Sequence, residues 1–180
     1  MATTEEKEEQ QKFADSHPIG SIIDSWTEWV TAEEKGDLEI DYDEDEDVFK
    51  IERDGKSAVI YTSDVDEAFY GESDAVIVEA EIGKPPENLD LSQTLKFSGQ
   101  ELVLSRISLT DRDEKTLLIV EAACPNSLIQ PAHFDLMVKE VATIARDLRK
   151  HLSSVLEDED DEEERDSDWI PAYLAFAIVK

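Results

Sequence analysis

Apolar residues near the start of the chain recur at the spacing of one helix face. Ser16 and Pro18 suit the start of a helix, and Gly36 suits its end. Trp29 lies at the edge of the apolar face. The pattern predicts an amphipathic helix that carries two of the three tryptophans. The residues on its apolar face are Ile19, Ile22, Ile23, Trp26 and Val30.

Alternation of apolar and polar residues predicts strands further along the chain. Asp54-Gly55 is typical of a type I′ turn, and this turn would place Phe49 opposite Ile60 in a hairpin. A second hairpin is predicted around residues 111–114. The predicted elements are a hairpin at residues 48–61, a strand at 75–82, a short helix at 89–97, and strands at 101–110 and 115–124.

The longest predicted helix opens at Pro131 and runs to about Leu156. Its apolar residues alternate at spacings of four and three, and Met137 and Ile144 widen the stripe. Such a stripe is typical of a coiled-coil seam or of a helix that lies across a sheet, and both interpretations stay open. The stripe consists of Phe134, Val138, Val141, Ala145, Leu148, Leu152 and Val155.

The order of elements predicts an α+β fold with an antiparallel sheet of about five strands and helices packed mainly on one face. The expected order is α-βββ-α-ββ-α within a single domain at residues 17–156. Residues 1–16 are predicted to be a disordered or frayed tail, and residues 157–168 an acidic linker.

Residues 169–180 are strongly apolar and follow that acidic linker directly. The contrast predicts either a docking segment or a last element that folds back onto its own domain. The segment is too short to cross a membrane, and the adjacent negative charge disfavours a peripheral anchor. Its candidate partner-binding residues are Trp169, Tyr173, Leu174 and Phe176.

Negative charge is concentrated in three stretches of this chain of net charge −29. Residues 1–16 contribute −3, residues 37–47 contribute −8 and residues 157–168 contribute −9. This distribution indicates a modestly acidic body with three acidic outgrowths. Nucleic acid is a poor partner for such a chain because its binding requires a basic surface, and we expect none, whereas basic proteins would be attracted.

Motifs for catalysis or for a bound cofactor are not found in the sequence. The acids from Asp41 to Glu52 resemble a calcium loop, but Glu46 stands where the loop requires glycine. Cys124, the single cysteine, is predicted to be a buried, unreactive thiol. We therefore expect no metal, no cofactor and no enzymatic activity. The chain opens without a signal-peptide pattern, which favours a cytoplasmic protein.

The element order resembles the YbjN-like group, which shares the fold of type III secretion chaperones of the CesT type. The resemblance covers about residues 17–156 and implies a small acidic α+β protein, often dimeric, that binds an extended client segment without ATP. The resemblance also implies that the client is a shell, secretion or complex subunit, as for some proteins of this architecture. The residues that carry the resemblance are 95–97, the apolar run at 102–109, the run at 117–122, the break at Pro125 and the helix from Phe134.

The sequence therefore favours a non-enzymatic chaperone or assembly factor that holds an extended or helical segment of a partner. Sheet edges or an apolar helix face would receive that segment. Alternatives are an acidic mimic of nucleic acid that occupies a basic partner surface, and a calcium-responsive regulator. The candidate contacts on the body, each of which also suits a plain core position, are Trp26, Trp29, Phe134 and Met137.

Overall fold

The computed structural model of the protein describes residues 17, 19–32, 35–64, 74–86, 89–112 and 114–157. Within these ranges it has three α-helices, six strands and a short 3₁₀ turn at Asn126–Leu128. In chain order the elements are α1 (Gly20–Ala32), β1 (Leu38–Asp43), β2 (Val48–Arg53), β3 (Lys56–Ser63), β4 (Ala75–Gly83), α2 (Leu91–Glu101), β5 (Arg106–Arg112), β6 (Lys115–Pro125) and α3 (Pro131–Glu157).

The strands form one antiparallel sheet in the order β1-β2-β3-β4-β6-β5. The predicted α+β class with an antiparallel sheet is confirmed, but the sheet has six strands instead of about five. The strand that was missed is β1, which occupies part of the predicted acidic outgrowth at residues 37–47. Its apolar residues alternate with acids, as expected for an edge strand with one face on the core and one face toward water.

The turn between β2 and β3 forms where the sequence predicts it. Asp54 and Gly55 both have positive φ, at 53° and 70°, as a type I′ turn requires. This turn fixes the register, and Phe49 lies opposite Ile60 as predicted. The apolar side chains of the hairpin consequently face the core together.

The long helix α3 contacts strands β2, β3, β4 and β6, and α1 packs against α3. The predicted stripe from Phe134 to Leu152 is buried in the resulting core. The stripe is therefore the contact of a helix lying across a sheet, and the coiled-coil interpretation is not needed. Phe97 of α2 belongs to the same core cluster, which places the three helices on one face of the sheet.

A buried arginine joins three elements beneath this helical layer. The Arg53 side chain is 0% exposed, and its Nε donates to Asp135 Oδ1 of α3 at 3.0 Å. Its Nη1 and Nη2 donate to the carbonyl oxygens of Asp37 and Lys35 at 3.0 and 2.7 Å. Trp26 Nε1 donates to the same Asp135 oxygen at 3.1 Å. Burial acts to raise the pKa of Asp135, but hydrogen bonds from Lys139, Arg53 and Trp26 outweigh it and hold the pKa below its ordinary value.

A loop at residues 102–105 follows α2 at a place where the sequence predicts a strand. The predicted strand at residues 101–110 begins instead at Arg106, because α2 continues through Glu101. Glu140 Oε1 of α3 accepts the backbone N–H groups of Val103, Leu104 and Ser105 at 3.2, 3.0 and 2.9 Å. A long-range carboxylate contact thus holds this stretch out of the sheet.

His151 on α3 makes stability depend on pH. The ring is 8% exposed, and burial lowers its pKa below the ordinary value of 6.5. The unfolded chain therefore binds a proton more readily, and stability is lost as pH falls from 6.5 toward the folded pKa. We expect a loss of at most about 1.4 kcal/mol per pH unit, and His151→Leu should flatten this slope. Urea unfolding between pH 7.5 and 5 measures the slope of the free energy of unfolding with pH. Leu148→Met serves as a core control that changes no titrating group. An unchanged slope in His151→Leu would contradict the assignment.

None of the helices within the described ranges is long and apolar enough to span a membrane.

Candidate functional site

An open depression of about 530 Å³ lies over strands β1 to β4. The polar residues in its lining alternate with core residues along each strand, so their side chains belong to the sheet face opposite the helices. We call this face the polar face. The strand residues of this face that line the depression are Glu39, Asp41, Lys50, Glu52, Ser57, Val59, Glu79 and Glu81. Arg149 of α3 and the apolar residues Ile40, Ile51, Ala58 and Ala80 complete the lining.

The charge of the depression is predominantly negative. Five carboxylates line it against the two cations Lys50 and Arg149. Lys50 Nζ already contacts Asp43 Oδ2 at 2.6 Å, and this hydrogen bond raises the pKa of Lys50 and lowers that of Asp43. Arg149 Nε donates to the backbone oxygen of Glu81 at 2.6 Å. Of the two exposed acids at the outer edge, Asp41 lies opposite Lys50 in the β1–β2 register, whereas Glu39 lies opposite another carboxylate, Glu52.

Glu79 lies at the inner end of the depression and is 1% exposed. Its Oε2 accepts from the Tyr61 hydroxyl at 2.8 Å and from Arg112 Nη2 at 2.6 Å. Burial, reinforced by the hydrogen bond to Glu79, raises the pKa of Tyr61, and the bond to Glu79 raises that of Arg112. The phenol therefore acts as a fixed hydrogen-bond donor at ordinary pH.

A second carboxylate, Glu121 of β6, lies directly opposite Glu79 in the β4–β6 register. Its Oε1 accepts from Ser108 Oγ at 2.5 Å and from Arg106 Nε at 3.1 Å. Each of the two neighbouring carboxylates thus has its own arginine and its own hydroxyl. The pairing offsets the repulsion that like charges on adjacent strands would otherwise cause.

The acidic turn between β1 and β2 is organised by the chain itself. Asp43 Oδ1 accepts the backbone N–H groups of Asp45 and Glu46 at 3.0 and 3.2 Å. Asp47 Oδ1 accepts from the Tyr42 hydroxyl at 2.6 Å, which raises the pKa of Tyr42 to about 12. The segment compared with a calcium loop is thus a strand and a tight hairpin turn. Across the described residues no group of three or more potential ligands is placed to hold a metal ion.

The two edges of the sheet differ in how they are covered. On the β5 edge, the Ile107 N–H donates to Ser98 Oγ of α2 at 3.0 Å, and α2 contacts this strand. On the β1 edge, no strand within the described ranges lies beyond β1. Within the described ranges β1 is therefore the outermost strand at this edge of the sheet.

Three of the predicted partner-binding residues are core residues. Trp26 and Phe134 are fully buried with their rings in edge-to-face contact at 5.1 Å, and Met137 is also buried. The structure thus leaves them no surface for a partner, because the apolar faces of α1 and α3 cover each other and the sheet. Trp29 is only partly buried, and Lys35 Nζ lies 3.3 Å from its ring centroid.

The predicted docking residues near the C-terminus lie outside the described residues, as do the tail at residues 1–16 and the linker at 158–168. These residues are Trp169, Tyr173, Leu174 and Phe176. Cys124 is half-buried at the end of β6, and burial raises the pKa of its thiol.

Sequence reasoning missed the β1 edge and the Glu79–Tyr61–Arg112 cluster. A signal for β1 was present, since Leu38, Ile40 and Tyr42 alternate with acids. The cluster had no local signal, because Arg112 and Glu79 are 33 positions apart.

Comparison with protein-family models and with curated proteins found no match for this chain.

Proposed function

We propose that the protein is a non-enzymatic, client-binding chaperone or assembly factor that holds an extended segment of a partner protein. The observation that carries this proposal is the β1 edge, which has no neighbouring strand among the described residues and borders an open acidic depression. Addition of a strand at such an edge is a common way to bind an extended peptide. A shell, secretion or complex subunit is the proposed kind of client.

The resemblance to the YbjN-like group and to type III secretion chaperones supports the same class of function by analogy. The structure adds β1 to the order of elements on which that resemblance rests. A fold of the secretion-chaperone type and a homodimeric state are accordingly part of the proposal. The apolar segment at residues 169–180, with Trp169 and Phe176, is proposed as an additional partner contact or as a competitor for the client site.

The polar face supports binding more than catalysis. The buried Glu79 and the partly buried Glu121 each hydrogen-bond to an arginine and a hydroxyl of the same chain. These bonds fix the side chains in place, which suits a rigid recognition surface.

Selection from a library of random twelve-residue peptides, displayed against the immobilised full chain, tests the proposal. We expect enriched peptides that bind saturably to the folded chain in fluorescence anisotropy and do not bind the denatured chain. The chain ending at residue 168 serves as a matched variant for the contribution of the C-terminal segment. Failure to enrich any peptide above the denatured control would count against a client-binding function.

A further inference from the structure

The hydrogen-bonding pattern of β1 determines which of its backbone groups face outward. The Asp54 N–H donates to the Asp37 oxygen at 3.0 Å, and these two residues continue the β1–β2 register one position beyond the Leu38–Arg53 pair. Bonded and non-bonded pairs alternate along an antiparallel ladder, so the bonded pairs continue at Glu39 and Asp41. The backbone N–H and C=O groups of the intervening Leu38, Ile40 and Tyr42 therefore point away from β2, where an added strand would bind.

The two faces of β1 differ in chemistry. The side chains of Glu39 and Asp41 are exposed on the polar face and line the depression. Leu38, Ile40 and Tyr42 are partly buried against the core on the helical side. A strand added at this edge alternates its side chains between the same two faces. Its residues would meet carboxylates on one face and apolar side chains on the other.

We propose that the β1 edge binds an extended partner segment in which basic and apolar residues alternate. Its lysines or arginines lie opposite Glu39 and Asp41 over the acidic depression, and its apolar residues extend the layer formed by Leu38, Ile40 and Tyr42. This inference rests on the proposed client-binding function and names the site and the class of client.

Other occupants of the edge fit less well. A second copy that pairs through its own β1 would set Glu39 and Asp41 against the same acids, and like charges in cross-strand pairs are unfavourable. The segment at residues 169–180 follows a linker of net charge −9 and would bring that charge to an acidic edge. At the opposite edge, α2 covers part of β5.

A fluorescein-labelled twelve-residue peptide of alternating lysine and valine is a suitable probe. We expect it to bind the full chain saturably in anisotropy titrations. A peptide with the lysines and valines in separate blocks, and one of alternating glutamate and valine, should bind at least about tenfold more weakly. Hydrogen exchange followed by NMR should show that the probe protects the amides of Leu38, Ile40 and Tyr42.

Two pairs of variants locate the site. Ile40→Pro removes an outward N–H of β1, and Leu109→Pro removes one from β5, because Leu109 is two residues beyond the outward Ile107 N–H. Only the first should abolish probe binding. Glu39→Lys with Asp41→Lys should weaken binding about tenfold without altering the backbone. Glu28→Lys on α1 with Glu114→Lys in the turn between β5 and β6 makes the same change of net charge at exposed positions away from β1 and should leave affinity within about twofold.

Several outcomes would overturn the inference. If selected peptides bind but β1 is not protected, the edge site is wrong while the client-binding function stands. If β1 is protected without peptide in a concentration-dependent manner, the occupant is a second copy. If β1 is protected without peptide to the same extent at every protein concentration, and this protection disappears in the chain ending at residue 168, the occupant is the C-terminal segment. If the two double-lysine variants weaken probe binding equally, the attraction depends on the net charge of the protein and not on Glu39 and Asp41.

Discussion

Replacing Arg53 with methionine is expected to lower the free energy of unfolding by about 3–5 kcal/mol. The guanidinium is 0% exposed and forms an ion pair with Asp135, whose side chain is 4% exposed. It also donates to Lys35 and Asp37, so it holds the connection between α1 and β1 against β2. Methionine fills similar volume but leaves Asp135 and two carbonyl oxygens without these donors. Urea unfolding followed by tryptophan fluorescence measures the loss.

Two further variants separate the buried pair from charge in general. Arg106→Met breaks an ion pair with Glu121 in which the arginine side chain is 66% exposed, and we expect a loss of less than about 1 kcal/mol. Arg53→Met combined with Asp135→Leu removes both members of the buried pair and should be more stable than Arg53→Met alone. If Arg53→Met lowers the free energy of unfolding no more than Arg106→Met does, the buried network around Arg53 contributes little to stability.

A neighbouring glycine explains why this network tolerates little change in the backbone. Gly36 has φ of 110°, a conformation that other residues adopt only with strain. A Cβ at this position would also collide with the Asp54 carboxylate, which accepts from Arg53 Nη1. The sequence predicts Gly36 as a helix end, but α1 ends at Ala32, and the glycine instead allows close approach to the hairpin.

Local signals predicted much of the fold. The Asp54-Gly55 pair predicted the turn and also the pairing of Phe49 with Ile60, because a two-residue turn fixes the register of the two strands. The heptad stripe predicted which side of α3 is buried. Each of these features depends on residues close together in the chain, which is where periodicity carries information.

The candidate site depends on contacts between distant residues, and local patterns do not encode them. The eight acids at residues 37–47 suggested a solvated outgrowth and obscured the alternation of β1. The apolar faces with Trp26 and Phe134 suggested a client surface, but the two helices bury these faces against each other. Of the two receiving surfaces that the sequence predicts, a sheet edge and an apolar helix face, the proposal keeps the sheet edge, where backbone groups provide the binding surface.

Replacing Glu140 with alanine is expected to lower the free energy of unfolding by about 2–4 kcal/mol. One oxygen of this carboxylate accepts three successive backbone N–H groups and the Ser105 hydroxyl, the last at 2.7 Å. Successive N–H groups that converge in this way form a concave anion site, here occupied by a side chain of α3. Without the Glu140 carboxylate, these N–H groups would hydrogen-bond to water, and the connection between α2 and β5 would lose its contact with α3.

The anion character of this contact provides a direct test. Acetate added to Glu140→Ala should restore part of the lost stability, whereas chloride at the same ionic strength should not, because acetate supplies the missing carboxylate. Glu28→Ala, an exposed position on α1, should change stability by less than about 0.5 kcal/mol and show no acetate effect. If acetate and chloride act alike on Glu140→Ala, the carboxylate contributes through helix packing instead of through the loop N–H groups. In that case residues 102–105 would be held by their own conformation, and hydrogen exchange of the Leu104 and Ser105 amides should be unchanged by the substitution.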